Sequence, residues 1–316
     1  MRIVSTTYLP HEGFARLHEH NLWLPAMPYA SKEELRTQLA NADVLISTFD
    51  FAVDSELLQM APQLKLIANF GVGFNNIDLD YAREHGITVT NTPGPVIEPT
   101  AEHTLALMLT LAHRTAELDR KMRQTDDIRF GVMNNLGVSL YGKTLGIIGM
   151  GNIGQSLAKR AVACGMTIIY HNRHRLPEAI EKQYGAQYVS QDELLQTADF
   201  VSLNLPYTPQ TRYLIGEKEL AMMKPTALLI NTARGAHVSE KALINALRNG
   251  TIAGAALDVF EHEPQISTEL KTLDNVVLSP HIGTGTIDGR LDMCECVTDN
   301  ILAFAADQRE RMNIVL

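Results

Sequence analysis

Four polar residues in the C-terminal half stand at or just beyond short apolar runs. Arg234 follows Leu228–Asn231, Asp258 closes Gly254–Asp258 with Glu263 five residues on, and His281 follows Val276–Ser279. Runs of that length bounded by polar residues read as buried strands. Ligands of open α/β sheets sit at the carboxyl ends of such strands, so an Arg there is well placed to meet a substrate. An imidazole at the same edge could move a proton. A lone His is more often structural than catalytic, but four polar groups at consecutive strand ends shift those odds.

A second constellation lies upstream. Gly149-Met150-Gly151-Asn152-Ile153-Gly154 has G-x-G-x-x-G spacing between an apolar strand, Leu145–Gly149, and a helical continuation, Gln155–Val162. In that context the first Gly allows a tight turn, the second admits a pyrophosphate, and the third lets helix and strand approach. The helix N-terminus then offers amides and a positive dipole end to the phosphates. The end of the next strand distinguishes NAD from NADP, because NAD sites usually carry a carboxylate there for the ribose hydroxyl. This chain has His171-Asn172-Arg173-His174-Arg175 instead. Arg173 and Arg175 suit a planar grip on a 2′-phosphate, so NADP is the preferred cofactor expected, with NAD the other. A solvated basic loop is the bland alternative.

The elements that must position these groups form two arrays. The first has candidate strands Arg2–Tyr8, Asp43–Thr48, Leu64–Gly71 and Ile87–Thr90, with a capping box at Ser31-Lys32-Glu33-Glu34 opening a helix through Leu39. Asn91-Thr92-Pro93-Gly94-Pro95 breaks the chain, and Pro99 through Met122 then reads as one long helix, either a core helix or a connector and oligomer contact. The second array has candidate strands Leu145–Gly149, Thr167–His171, Phe200–Asn204, Leu228–Asn231, Gly254–Asp258 and Val276–Ser279. Ser190-Gln191-Asp192-Glu193 is another capping box, and Gly250 stands where a helix C-cap glycine belongs. From about Thr286 the chain reads as a helix and tail too short for a domain. That segment is expected to return to the first domain, giving residues 1–98 plus 286–316 as one discontinuous domain and 99–285 as an inserted one.

The chain has 316 residues, 45% hydrophobic and 20% charged, an ordinary globular balance. Its formal charge of −9 argues against nucleic acid or an anionic membrane as partner, both of which need a basic face. Cys164, Cys294 and Cys296 make neither a disulfide framework nor a zinc-site spacing, so no metal is expected. Met1–Ser5 reads directly into a strand with no leader, and no apolar run reaches spanning length. The expectation is a cytoplasmic protein with a small-molecule partner.

Taken together, Gly149–Gly154, Asn231-Thr232-Ala233-Arg234-Gly235, Ala255–Phe260 with Glu263-Pro264, and Ser279–Gly283 resemble the motif series of the D-isomer-specific 2-hydroxyacid dehydrogenases. Phe70–Asp78 is similar to that family's substrate loop, and Ala101-Glu102-His103-Thr104 also fits, so the resemblance covers nearly the whole chain. It implies an α/β fold of two doubly wound parallel-sheet domains, a flavodoxin-like substrate domain and an inserted NAD(P)-binding Rossmann domain, in a homodimer. It implies Arg234, Glu263 and His281 as catalytic residues: Arg234 binds the substrate carboxylate and polarises the keto oxygen, His281 transfers the proton, and Glu263 pairs with the imidazole, favouring its charged form. Val72 and Gly73 would hold the substrate carboxylate through their amides. Asp258 would meet the nicotinamide carboxamide, and Thr104 and Thr232 would line the cofactor channel. Gly149, Gly151, Asn152, Ile153, Gly154, Asn172, Arg173, Arg175, Leu205, Pro206, Ala233, Arg234, His281 and Gly283 complete the implied cofactor set.

The sequence departs from the family pattern at Asn172, where NAD-type members carry Asp, and at Asn75, where Asp is more usual. Around Asp127–Asn134 some hydroxypyruvate-reducing members carry a Trp, whereas this chain offers only Phe130 and Met133, and its sole tryptophan is Trp23. The implied activity is reduction of glyoxylate, hydroxypyruvate or a similar small 2-keto acid. The alternatives are an NAD-linked phosphoglycerate or D-lactate dehydrogenase and a cofactor-sensing corepressor. No residues remain for a phosphoglycerate enzyme's regulatory domain, and no low-complexity tail marks a corepressor.

Overall fold

β-Branched and leucine-rich runs buried on both faces, alternating with amphipathic segments, can satisfy their backbones only as parallel strands under helices. The computed structural model describes all residues except Met27 and Asp127, and they fall into two units: Met1–Val96 with Thr284–Leu316, and Ile97–Gly283. The first has five parallel strands, β1 (Arg2–Ser5), β2 (Asn21–Trp23), β3 (Val44–Thr48), β4 (Leu66–Phe70) and β5 (Thr88–Thr90), in order β2-β1-β3-β4-β5. That is the flavodoxin-like order. Val44–Thr48 and Leu66–Phe70 are buried throughout. The C-terminal helix Ile287–Ala305, capped by the Thr286 hydroxyl, packs against β4.

The second unit has seven parallel strands: β6 (Thr144–Ile148), β7 (Thr167–His171), β8 (Ala186–Tyr188), β9 (Phe200–Leu203), β10 (Leu228–Asn231), β11 (Gly254–Leu257) and β12 (Val276–Leu278). Their order is β12-β11-β10-β9-β6-β7-β8. Strand order therefore reverses between β6 and β9, which opens a crevice at their carboxyl ends. Apolar side chains of both sheet faces, Ile147, Tyr170 and Phe200 on one and Val201, Leu229 and Ala255 on the other, are sealed under the flanking helices.

Three expectations change. β1 stops at Ser5 because Thr6 and Thr7 turn aside, Thr6 donating to the Ile46 carbonyl and Thr7 bridging Tyr29. β2 and β8 are three-residue edge strands opening on Asn21 and Ala186, too short to register as an apolar run. The single helix expected over 99–122 is two, Ile97–Ala112 and Thr115–Gln124. Arg114 between them is left-handed (φ 58°), with Nε and Nη2 clamped on Glu117 at 2.8 and 2.7 Å. The Ala112 carbonyl is meanwhile taken by the Val138 amide at 2.8 Å. A non-local acceptor of this kind leaves no trace in helical periodicity. Asp127, the first residue of the segment compared with a Trp-bearing one, lies outside the described residues. Among the described residues no helix is long and apolar enough to cross a membrane.

Candidate active site

The seven-stranded sheet brings most of the chemistry-bearing residues of its unit to one edge, because all its strands run the same way. Along that edge stand His281 after β12, Asp258 and Glu263 after β11, Arg234 after β10, Leu205 and Pro206 after β9, the glycine loop after β6, and Asn172 and Arg173 after β7. Neighbouring strands lie about 4.8 Å apart, so β12 to β7 spans roughly 24 Å.

At one end, His281 Nδ1 lies 2.7 Å from Glu263 Oε2, and Glu263 Oε1 accepts the Phe260 amide at 2.8 Å. That second bond fixes the carboxylate, so the pairing directs the imidazole. Arg234 is partly buried, with Nη1 donating to the Ala233 carbonyl at 2.6 Å. Burial pushes its guanidinium down from its ordinary value, and the charge of Glu263 opposes that. Asn231 braces the Arg234 loop by donating to the Arg234 carbonyl and accepting the Ala233 amide. Gly235 is obligatory there, since a Cβ would overlap the Phe260 carbonyl and stand 2.5 Å from the Glu261 amide.

Asp258 is 1% exposed and spends its carboxylate on the 279–283 loop. Oδ1 accepts Ser279 Oγ at 2.6 Å and the Ile282 amide at 2.9 Å, Oδ2 accepts the Gly283 amide at 2.9 Å, and its own carbonyl accepts the His281 amide at 2.8 Å. Burial would raise this carboxyl, but hydrogen bonds from His103, Ser279 and Ile282 outweigh it and hold it below the usual range. Thr104 is fully buried, donating to the Thr100 carbonyl at 2.7 Å and lying 2.8 Å from Thr232 Oγ1. It is therefore a strut between the helix and the Arg234 loop.

In the middle of the edge, Gly149 has φ 93° and its missing Cβ would press on the Asn204 carbonyl and Leu205 Cβ, both at 2.8 Å. A Cβ on Gly154 would stand 2.7 Å from the Gly149 carbonyl oxygen. Gly151 differs: among the described residues, its two chain neighbours aside, a Cβ there meets nothing within 4 Å, so no packing contact requires glycine. What it leaves is space before the Asn152–Ala163 helix, whose N-cap is Gly151 and whose first amides have no side-chain cap. Asn152 is exposed and Ile153 partly buried beside it. An open cradle facing uncapped amides fits a dinucleotide pyrophosphate.

At the far end, Asn172 Oδ1 accepts the Met150 amide at 2.7 Å, tying the loop after β7 to the glycine turn. Arg175 directs Nε and Nη2 to Glu181 at 2.8 and 2.7 Å. That pairing, with the Tyr170 hydroxyl at 2.7 Å, holds the Glu181 carboxyl down at about 2. Sequence spacing could not show that one of the two arginines is engaged. Arg173 and His174 are exposed, with no hydrogen bond or ion pair to any described residue.

The five-stranded unit holds the remaining expected residues. The carbonyls of Gly71 and Gly73 accept Asn69 Nδ2, each at 2.9 Å, and the Val72 carbonyl accepts Asn91 Nδ2 at 3.0 Å. Among the described residues no acceptor takes the Val72 or Gly73 amide. Asn69 and Asn91 gave no signal beyond being polar residues in apolar surroundings.

Residues 105–283 match the family model described as D-isomer specific 2-hydroxyacid dehydrogenase, NAD binding domain. The chain is 46% identical over 312 residues to a glyoxylate reductase of Thermococcus litoralis, covering 96% of this chain and 93% of that one. Among solved structures, the TT0316 protein of Thermus thermophilus superposes with TM-score 0.92 at 40% identity over the whole of both chains. A glyoxylate reductase of Paecilomyes thermophila gives 0.87 at 35% identity, over 99% of this chain and 97% of that one.

Proposed function

The chain belongs to the D-isomer-specific 2-hydroxyacid dehydrogenase family, and we propose that it is an NADPH-preferring reductase of glyoxylate, hydroxypyruvate or a 2-keto acid of that size. The observation that carries the reading is the His281–Glu263 pair at 2.7 Å beside the Arg234 loop, on the same strand edge as the open Gly151 cradle. A nicotinamide cofactor, held at the Gly151 cradle and the N-terminus of the Asn152–Ala163 helix, would supply the hydride chemistry when bound. Arg234 offers a desolvated cation to the substrate's carboxylate and keto oxygen, where negative charge grows as the carbonyl is reduced. His281 gives that oxygen its proton and is left neutral, to be reloaded from solvent. Glu263 holds the ring through the 2.7 Å contact with Nδ1. In the five-stranded unit, the Val72 and Gly73 amides, which no acceptor takes among the described residues, are offered as donors to a carboxylate.

NADPH preference rests on Arg173, an exposed, uncommitted guanidinium on a loop that carries no carboxylate between residues 171 and 176. The proposed assembly is a homodimer, supported by Phe130, Val132 and Met133, which are 85%, 92% and 77% exposed on one segment. Apolar side chains so concentrated mark an interaction surface, and sedimentation equilibrium showing a monomer would remove this part. The decisive experiment measures NADPH and NADH oxidation with glyoxylate and hydroxypyruvate for wild type and His281→Ala. The variant should lose about 10²- to 10⁴-fold in kcat; equal rates would sink the mechanism.

A further inference from the structure

The first turns of the Ile97–Ala112 helix carry Thr100, His103 and Thr104 at helical spacing i, i+3 and i+4, hence on one face. That face touches both loops of the active site. Thr104 meets Thr232 ahead of Arg234. Thr100 lies against Gly283, where a Cβ would stand 3.4 Å from Thr100 Cγ2 and 3.3 Å from Asp258 Oδ2. His103 Nε2 lies 3.2 Å from Asp258 Oδ1 and 3.1 Å from Ser279 Oγ.

Those two partners fix the state of the ring. A carboxylate only accepts, and the Ser279 proton is committed to Asp258, so its oxygen too can only accept from His103. Nε2 therefore carries the proton and donates, shared between the two. Its donation falls on a carboxylate almost wholly removed from water, which can remain ionised only if hydrogen bonds replace solvent. Ionised, that carboxylate holds the Ile282 and Gly283 amides, and the loop so pinned keeps His281 at φ 53°, a left-handed conformation unusual for a residue with a side chain.

We propose that His103 is a positioning residue for the reaction: its Nε2–H holds Asp258, and through Asp258 it sets the His281 loop. The proposal rests on the reading of His281 as proton donor. A neutral donor at the Nε2 position is all the geometry asks for, and the amide nitrogen of glutamine reaches the same place.

The test compares His103→Leu with His103→Gln, beside wild type and His281→Ala, reading kcat, KM for NADPH, the pH profile of kcat, and deuterium uptake across 276–286. The Leu variant should lose about 10- to 100-fold in kcat, the scale of an ångström's misplacement of a reacting group. Its KM for NADPH should stay within about threefold, and its 276–286 segment should exchange faster. The Gln variant should keep kcat within about threefold of wild type, with an unshifted pH profile and protected exchange. Wild-type kcat in the Leu variant, or wild-type exchange in it, overturns the proposal. So does a Gln variant as impaired as Leu. His281→Ala at wild-type rate overturns the parent reading instead, and the exchange comparison still decides whether His103 pins the loop.

Discussion

His237 is fully buried three residues beyond Arg234, and neither ring nitrogen has a hydrogen-bond partner of good geometry among the described residues. Its polar surroundings are the backbone of Pro206 and Arg234, the Arg234 guanidinium and the Tyr207 ring, whose centroid is 6.0 Å away. Burial, reinforced by the Arg234 charge, depresses its pKa from 6.5 to about 4, against partial help from the two backbone groups. The folded state therefore refuses a proton that the unfolded chain accepts. Its contribution to stability is complete above pH 6.5 and is lost as pH falls toward 4. Linkage over that window gives a loss of about 1 kcal/mol by pH 5.5 and about 2–3 kcal/mol by pH 4.5, relative to pH 7.5. His237→Leu removes the titration and keeps the apolar contact, so its stability should fall less over the same range by those amounts, whatever its value at pH 7.5. Urea unfolding followed by circular dichroism measures this. Parallel pH dependences for the two proteins, within about 0.5 kcal/mol, would refute the argument.

Other substitutions separate cofactor binding from chemistry and from folding. Arg173→Ala should raise KM for NADPH about 10- to 100-fold, the worth of a charge-assisted hydrogen bond, and leave KM for NADH unchanged; equal effects on both would remove the 2′-phosphate role. Gly151→Ala should melt like wild type, since its methyl meets no described residue beyond its chain neighbours within 4 Å, yet raise KM for NADPH about tenfold. An unchanged KM would show that nothing approaches the cradle. Gly235→Ala should cost about 1–3 kcal/mol in stability and about 10²-fold in kcat, because the Phe260 carbonyl must move and the Phe260 amide holds Glu263. Calorimetry and steady-state assay of that variant check both halves.

What could be read from the chain alone follows from how local each signal is. Strand ends and the glycine hexapeptide are local, so β6, β7, β10 and β11 and the residues after them were legible, and parallel topology then puts them on one edge without further information. Arg234 and His281 belong to that class. Arg175 does not: its spacing is that of a phosphate ligand, but Glu181, one turn into the next helix, takes Nε and Nη2, and only coordinates show the pairing. The helix break at Arg114 has the same origin, because the Val138 amide that takes the Ala112 carbonyl lies 26 residues away. Asp258 is the most instructive case. Its position beyond β11 marks it as part of the site, and its four inward hydrogen bonds reveal its task. Oδ1 already serves His103, Ser279 and Ile282, while Oδ2 serves Gly283 alone. A cofactor amide reaching this carboxylate would have to use the remaining capacity of Oδ2. It would then stand beside the loop that carries His281, so binding at Asp258 and the setting of that loop would share one group.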